Sequence, residues 1–504
     1  MKLNNLSEPN KPKVVIIGLD GAVWHLLDKL MDHGLLPNLK KIKEEGIYSK
    51  LRTTLPPVTA PAWVSFATGK NPGKHGCFDF VIPKDKIDNY CPVSSETIQG
   101  KTFYEILQEK GKECILVNLP VTYPPRIPEV VITSLLTRGE NFVFPKELIN
   151  EIPAFKNYKL APEGSKEKKM KEHVADIRQI EKTRFECAKE LFKKDWDLFF
   201  ILFSGTDWIQ HSKFYDLEHN DVEQERKAIK IYQEIDQYVC WFKDHLADDT
   251  KLLIMSDHGF CSLDGVFFLN QWLEKENYLK FQASNKKYID FGQVAESRKK
   301  SSSKGVNFYL SGLTRFLWKY PKFFQMAKKT YDKVKKIMPI NVQQDFGFDH
   351  SQTIAYSLSN LIYLNRKDRF ENGVIETETE YQEIKKKLMA KLSKIKDPDT
   401  GKLVFDKIID AHQSYNGKEI EKGPDIIVYS SNFLIKSIPG PLFIKGKFQY
   451  HSLDGIFIGS SKGVNKKDEL ESKSILDIVP TIFKTFGMEI PPDLDGRPIE
   501  EMFK

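Results

Sequence analysis

The chain has 504 residues, 40% of them hydrophobic and 29% charged, with a formal net charge of +7. That length can hold roughly two to four domains or one elaborated α/β unit, and so small a charge argues against nucleic acid as a partner. No apolar run reaches the roughly 18 to 20 residues of a membrane-spanning helix. The opening MKLNNLSEPNKPK lacks the apolar stretch of a secretory signal, and the scattered cysteines (Cys77, Cys91, Cys114, Cys187, Cys240, Cys261) form no C-x-x-C pair, so a reducing cytoplasm is expected.

Residues 1–12 are expected to form a disordered tail. KVVIIGL at 13–19 is a short apolar run stopped by Asp20-Gly21, which predicts a buried parallel strand. A helical stretch follows, then Gly34 and Pro37, then a second helix that stops at Gly46. The next helix spans 59–68. It starts at Thr59, carries Pro61 in its first turn, where proline is tolerated, and closes at Gly69. Further strands are predicted at 114–118, 129–133, 197–203 and 251–255, with charged helices at 167–193 and 222–247 between them. This alternation predicts an α/β fold with a doubly wound, mostly parallel sheet flanked by helices.

The pattern changes after residue 265. Residues 298–336 are rich in Lys and Arg against a single acid, Asp332, and Leu310, Leu313, Phe316, Leu317, Phe323, Phe324 and Met326 are interleaved with them. This reads as a basic amphipathic insertion, and 266–345 is expected to be a cap. An aromatic and apolar run returns at 353–365, and a charged helix is expected at 379–395. The α/β signature resumes at 424–428, 455–459 and the helix 474–486. The organisation read from the chain is therefore a core in two parts, 13–265 and 346–504, interrupted by 266–345.

Six metal-ligand-type residues and one hydroxyl stand out: Asp20, Thr59, Asp207, His211, Asp257, His258 and His451. Most follow a run that reads as a strand, and sites assemble at the carboxyl ends of strands in such sheets. Each also has an ordinary reading. Asp20-Gly21 is a common turn, and Thr59 is a fitting N-cap. At a helix start, however, Thr59 would meet backbone N–H groups that favour a phosphate, and its hydroxyl needs activation to attack. Asp207 and His211, four apart on a helix, can reach one ion. Asp257-His258-Gly259 ends an apolar strand. His451 by itself is a lone histidine, but the Asp207–His211 pair calls for a third ligand, as catalytic zinc sites commonly have three. Three Asp and three His divide into two tridentate sets, an inventory that suits two-metal phosphoryl transfer. His75, in N-P-G-K-H-G, reads as loop-stabilising. His25, His33, His173, His219, His245, His350 and His412 read as surface residues.

Taken together, these motifs resemble the alkaline phosphatase superfamily, in its type I phosphodiesterase/nucleotide pyrophosphatase branch. The prokaryotic group of predicted phosphohydrolases or phosphomutases is most similar. The resemblance rests on I-I-G-L-D-G at 16–21, T-x-P-x-W-x-S-x-x-T-G at 59–69, N-P-G-K-H-G at 71–76, S-D-H-G-F at 256–260 and H-S-L-D-G-I-F-I at 451–458. D-I-V-P-T-I at 477–482 and D-G-R-P at 495–498 add to it. It implies one metal held by Asp20, Thr59, Asp257 and His258 and a second held by Asp207, His211 and His451, usually zinc, with Mn or Fe also compatible with Asp/His sets. Thr59 is implied as the nucleophile. Two departures stand out. Nucleotide pyrophosphatases place an asparagine after the nucleophile where this chain has Asp79-Phe80, so nucleotide specificity does not carry over. Formylglycine sulfatases need Cys or Ser in C/S-x-P-x-R, and this chain has Thr59-x-Pro61-x-Trp63.

The leading expectation is a metal-dependent phosphoric ester hydrolase, foremost a phosphodiesterase, that works through a phosphothreonine and two metal ions. The alternatives are a phosphomutase or phosphotransferase on a sugar phosphate or lipid head group, and a non-enzymatic membrane-surface binder acting through 298–336. The expected partner is a small phosphate ester or a glycan or lipid precursor. The expected location is the cytoplasm, with peripheral membrane contact allowed.

Overall fold

The sheet is organised around Val14–Leu19, whose six residues are all buried. Leu198–Phe203 flanks it on one side and Lys251–Met255 on the other, both parallel. The full order of the nine strands is Lys473–Ser474, Ile47–Arg52, Asp454–Ser460, Lys251–Met255, Val14–Leu19, Leu198–Phe203, Cys114–Val117, Val130–Ile132 and Val143–Phe144. Asp454–Ser460 runs antiparallel to both its neighbours, and Val143–Phe144 is antiparallel at the far edge. The computed structural model describes residues 11–163, 170–283, 346–461, 464 and 469–503. Residues 1–10 of the expected tail, and the basic segment 298–336, lie outside the described residues.

Burial on both faces explains the unbroken apolar strands. Along Leu198–Phe203, Phe199, Ile201 and Phe203 enter one core with the helices Trp24–Asp32, Pro37–Glu45, Met170–Phe192, Gly205–His219 and Arg226–Asp244. Leu198, Phe200 and Leu202 point the other way, into a core with the helices Thr59–Thr68, Phe103–Glu109 and Ile478–Thr485. This is the two-residue alternation of a strand, and it makes the sheet the middle layer of three.

A second unit has its own core. Ala355–Leu358, Leu361–Leu364, Ile426–Tyr429 and Lys407–Asp410 form a four-stranded antiparallel sheet, covered by the helices Leu269–Lys275 and Glu378–Leu392. The apolar run 424–428, read from the sequence together with 455–459, therefore belongs to a different sheet. A run of buried residues reports burial, and both sheets bury theirs. The strand Gly259–Phe268 passes without a break through the 265/266 boundary and pairs antiparallel with Phe443–Ser452, which sets Phe260 opposite His451.

Candidate active site

Three neighbouring parallel strands deliver the acidic groups. Asp20 follows Val14–Leu19, Asp207 sits in the first turn of Gly205–His219 after Leu198–Phe203, and Asp257-His258 follow Lys251–Met255. All three strand ends lie on the carboxyl side of the sheet, the side where doubly wound folds build sites. Thr59 is the first residue of Thr59–Thr68 and is buried. His451 arrives from the opposite direction on Phe443–Ser452.

The strand ends are fastened to one another. Thr206 Oγ1 donates to Asp20 O at 2.6 Å, and Gln210 Nε2 donates to Gly21 O at 2.9 Å. Gly21 N donates to Asp257 Oδ1 at 3.2 Å. Gly21 has φ +66, a left-handed conformation that favours glycine, and a Cβ there would lie 3.3 Å from Asp207 Oδ1. Below the Asp207 helix, Glu181 Oε1 accepts from Gly205 N at 2.6 Å. Arg184 Nη1 donates to both Glu181 oxygens at 3.1 Å and to Leu202 O at 2.9 Å. Both side chains of this ion pair are buried.

The ligand-type atoms converge on two spots. The Nε2 atoms of His211 and His451 are 3.1 Å apart and lie 3.4 and 3.3 Å from Asp207 Oδ1. Around the second spot, His258 Nε2 is 3.2 Å from Thr59 Oγ1, 3.2 Å from Asp257 Oδ2 and 3.8 Å from Asp20 Oδ1. Two groupings have ligand atoms within 4.8 Å of one another: Asp207 with His211 and His451, and Asp20 with Asp207 and His258. Asp207 thus faces both spots. The sequence-derived first set drew Asp257 and Thr59 beside Asp20 and His258, and both do touch His258. Backbone carbonyls can only accept hydrogen bonds. Pro57 O lies 2.9 Å from His451 Nδ1 and Gly259 O lies 3.1 Å from His258 Nδ1, so each Nδ1 carries the proton. That leaves each Nε2 lone pair directed into the site. The His211 side chain is 41% exposed and forms the open edge.

Electrostatics also mark the cluster. Burial raises the Asp20 pKa well above the carboxylate range, and repulsion from Asp257 and Asp207 raises it further. Burial and Asp207 push Asp257 up to about 8. Burial opposes the charge on Asp207 too, but His211 and His451 outweigh it and hold Asp207 well below its usual value. His258 is held well below 6.5 by burial, with His451 adding to the effect. Asp20 Oδ1, Asp207 Oδ1 and Asp257 Oδ2 are buried with no hydrogen-bond partner among the described residues. Buried carboxylates without donors are costly, and cations would satisfy all three. The residues fit a divalent-metal site.

The sequence reading did not find Glu181, Arg184, Gln210 or Thr206. The only trace of the first two is an acid and a base three apart on a face otherwise apolar at Ile177, Ile180 and Ala188. His75 lies fully buried behind the helix Thr59–Thr68, with Nε2 2.9 Å from Ser65 Oγ and Nδ1 accepting from Cys77 N. His25, His33, His219 and His245 are exposed, and His173, His350 and His412 are half-buried.

The fold is that of the alkaline phosphatase-like hydrolases. Phosphonoacetate hydrolase from Sinorhizobium meliloti 1021, solved with phosphonoformate, superposes with a TM-score of 0.56 at 14% identity, covering 94% of this chain and 95% of that one. The same protein with phosphonoacetate gives the same values. Murine ectonucleotide pyrophosphatase/phosphodiesterase 5, an inactive threonine-to-alanine variant with AMP, gives a TM-score of 0.51 at 12% identity over 96% of each chain. No curated protein matches the sequence significantly. Residues 14–431 match the model of type I phosphodiesterase / nucleotide pyrophosphatase. The chain belongs to this family, within the alkaline phosphatase superfamily, and is a hydrolase of phosphoric esters.

Proposed function

We propose that the protein is a phosphodiesterase that uses Thr59 as nucleophile and works with two divalent metal ions. The observation that carries this reading is the Thr59 hydroxyl, at a helix start and 3.2 Å from His258 Nε2, among three buried carboxylate oxygens that lack donors. One ion would be held by Asp207, His211 and His451, and the other by Asp20, Thr59, Asp257 and His258. Zinc is proposed, with Mn or Fe as the alternatives that Asp/His donors accept. When bound, such ions lower the pKa of a coordinated hydroxyl and offset charge on phosphoryl oxygens.

The remaining steps fall to the chain. The first N–H groups of a helix lack carbonyl partners within it, so those of Thr59 and Ala60 are donors placed beside the hydroxyl, suited to phosphoryl oxygens. Thr59 Oγ1 gives up its proton and attacks phosphorus to form a phosphothreonine, while the bond from phosphorus to the ester oxygen breaks and that oxygen, taking up a proton, departs as an alcohol on the side of Asp207, His211 and His451. Water then attacks the phosphothreonine from that side, releasing the phosphate product and restoring the hydroxyl. Burial lowers the pKa of His451 and of His258 and favours their neutral form, while the carbonyls of Pro57 and Gly259 fix the proton on Nδ1. The substrate is a small organic phosphate ester.

Hydrolysis of bis-p-nitrophenyl phosphate and p-nitrophenyl phosphate by the metal-loaded protein, beside Thr59→Ala, tests the reading. Turnover of the diester that needs both metal and Thr59 is the expected result. Monoester turnover alone would move the protein to the phosphatases or mutases, and a fully active Thr59→Ala would remove the nucleophile.

A further inference from the structure

The segment that delivers Thr59 is short and poor in donors. It leaves the strand Ile47–Arg52 and enters the helix at Thr59, and it contains Pro56 and Pro57, neither of which has an N–H. Its remaining backbone groups need partners from elsewhere. Thr53 N donates to Leu453 O at 3.0 Å, and His451 Nδ1 donates to Pro57 O. Between them, Leu55 is bound by a single phenol. Leu55 N donates to the Tyr415 hydroxyl at 2.9 Å, and the same hydroxyl donates to Leu55 O. One side chain thus takes both main-chain polar groups of a residue four positions before Thr59.

Tyr415 belongs to the second unit, and its own surroundings leave it little freedom. Its ring packs against Phe78 with centroids 6.2 Å apart. The turn that follows it is pressed onto the 71–76 loop. Asn71 Nδ2 donates to Asn416 Oδ1 at 2.6 Å. Gly417 has φ +118, and a Cβ there would lie 2.4 Å from Gly73 O, while one on Gly73 would lie 2.5 Å from Asn416 O. The two backbones meet at glycines because nothing larger fits. The phenol is held from behind as firmly as it holds Leu55.

We infer that Tyr415 is a positioning residue for the nucleophile: its hydroxyl fixes the Leu55 backbone and, through it, where the Thr59 hydroxyl stands. The inference rests on the reading of Thr59 as nucleophile. It gives the second unit a part in the reaction even though none of its side chains is among the ligands.

The test uses the full-length, metal-loaded protein as Tyr415→Phe, with bis-p-nitrophenyl phosphate as substrate and Tyr381→Phe as control. Tyr381 donates to Asp425 inside the second unit, so its loss disturbs that unit without touching Leu55. Small misplacement of a reacting group costs rate. Tyr415→Phe is therefore expected to lower kcat on the order of tenfold or more, with KM and bound metal unchanged and hydrogen exchange at Leu55 faster. Tyr381→Phe is expected to keep the wild-type kcat. Equal kcat for Tyr415→Phe and wild type would overturn the inference, and so would an equal loss in both variants, which would mark a stability effect. An active Thr59→Ala would instead overturn the reading beneath it.

Discussion

His75 and Asp79 share one loop and are both buried, and burial moves them in opposite senses. It lowers the His75 pKa from 6.5 to about 3, with Asp495 opposing and Lys70 assisting. It raises the Asp79 pKa from 3.8 to about 7, against a hydrogen bond from Phe80 N. In each case stability follows the proton difference between the folded and unfolded states. For His75 the unfolded chain binds the extra proton, so its contribution is whole above 6.5 and is lost as pH falls toward 3. For Asp79 the folded chain binds it, so its contribution is whole below 3.8 and is lost as pH rises through 7. Asp79→Asn should therefore raise Tm on the alkaline side of 7 and leave it unchanged near 3.8. His75→Gln should flatten the acid limb between 6.5 and 3. Calorimetry across that range checks both, and parallel curves for variant and wild type would contradict the assignment. His75 was legible in the sequence as a loop residue. Its burial was not, because Ser65, its partner, lies on a helix whose inward face no local pattern reveals.

At the scale of elements, the Asp207 helix depends on the pair beneath it. Glu181 binds the N–H of Gly205, and Arg184 neutralises Glu181 inside the core. Removing one partner of a buried pair typically costs about 3 to 5 kcal/mol, because the other charge is stranded. Outer partners of ligand-bearing groups commonly affect metal affinity by about 10 to 100-fold. Glu181→Gln should thus lower Tm and weaken metal binding at the proposed Asp207, His211 and His451 site within that range. A zinc titration against a chromophoric chelator reads the second effect, and unchanged affinity would separate the helix start from the ligands. Gly259 is a second point where the architecture tolerates no larger residue. A Cβ there would lie 2.1 Å from Asp454 O, so Gly259→Ala should destabilise by about 1 to 3 kcal/mol, as overpacking does, visible in urea unfolding. The strands that lead to the proposed ligands were legible because they are short buried runs with an Asp one to four residues beyond their ends. Their partners were not, since pairing such as Asp454–Ser460 with Ile47–Arg52 joins residues far apart in the chain, and apolar runs look alike whichever sheet receives them.

For the whole molecule, the site concentrates unlike demands at one end of the sheet. Asp20, Asp207 and Asp257 are drawn together by three strands whose cores favour the fold, while their charges oppose one another. Cations that bind only the folded chain add stability as RT ln(1 + [L]/Kd), about 2.7 kcal/mol at a hundredfold excess over Kd. Chelation should lower Tm, and zinc should restore it in a concentration-dependent way. Asp257→Asn should be more stable than wild type without metal and gain less from it. A Tm indifferent to both chelator and zinc would contradict the metal site. No helix among the described residues is long and apolar enough to cross a membrane. The sequence points to the proposed site residues because metal chemistry restricts residue type, and the structure brings those side chains to one end of the sheet. It carried their supporting network poorly, because almost any polar side chain can supply a hydrogen bond.

The position of Asp454–Ser460 in the sheet has a consequence for biosynthesis. It is the strand between Ile47–Arg52 and Lys251–Met255, and the residues just before it carry His451. A ribosome makes Asp20 and Thr59 early and His451 late, so an emerging chain exposes an unfinished sheet edge through most of its translation. On the proposed assignment of His451 the second metal set is complete only once 454–460 has paired, and a chain cut short before that point leaves Ile47–Arg52 and Lys251–Met255 with unpaired edges.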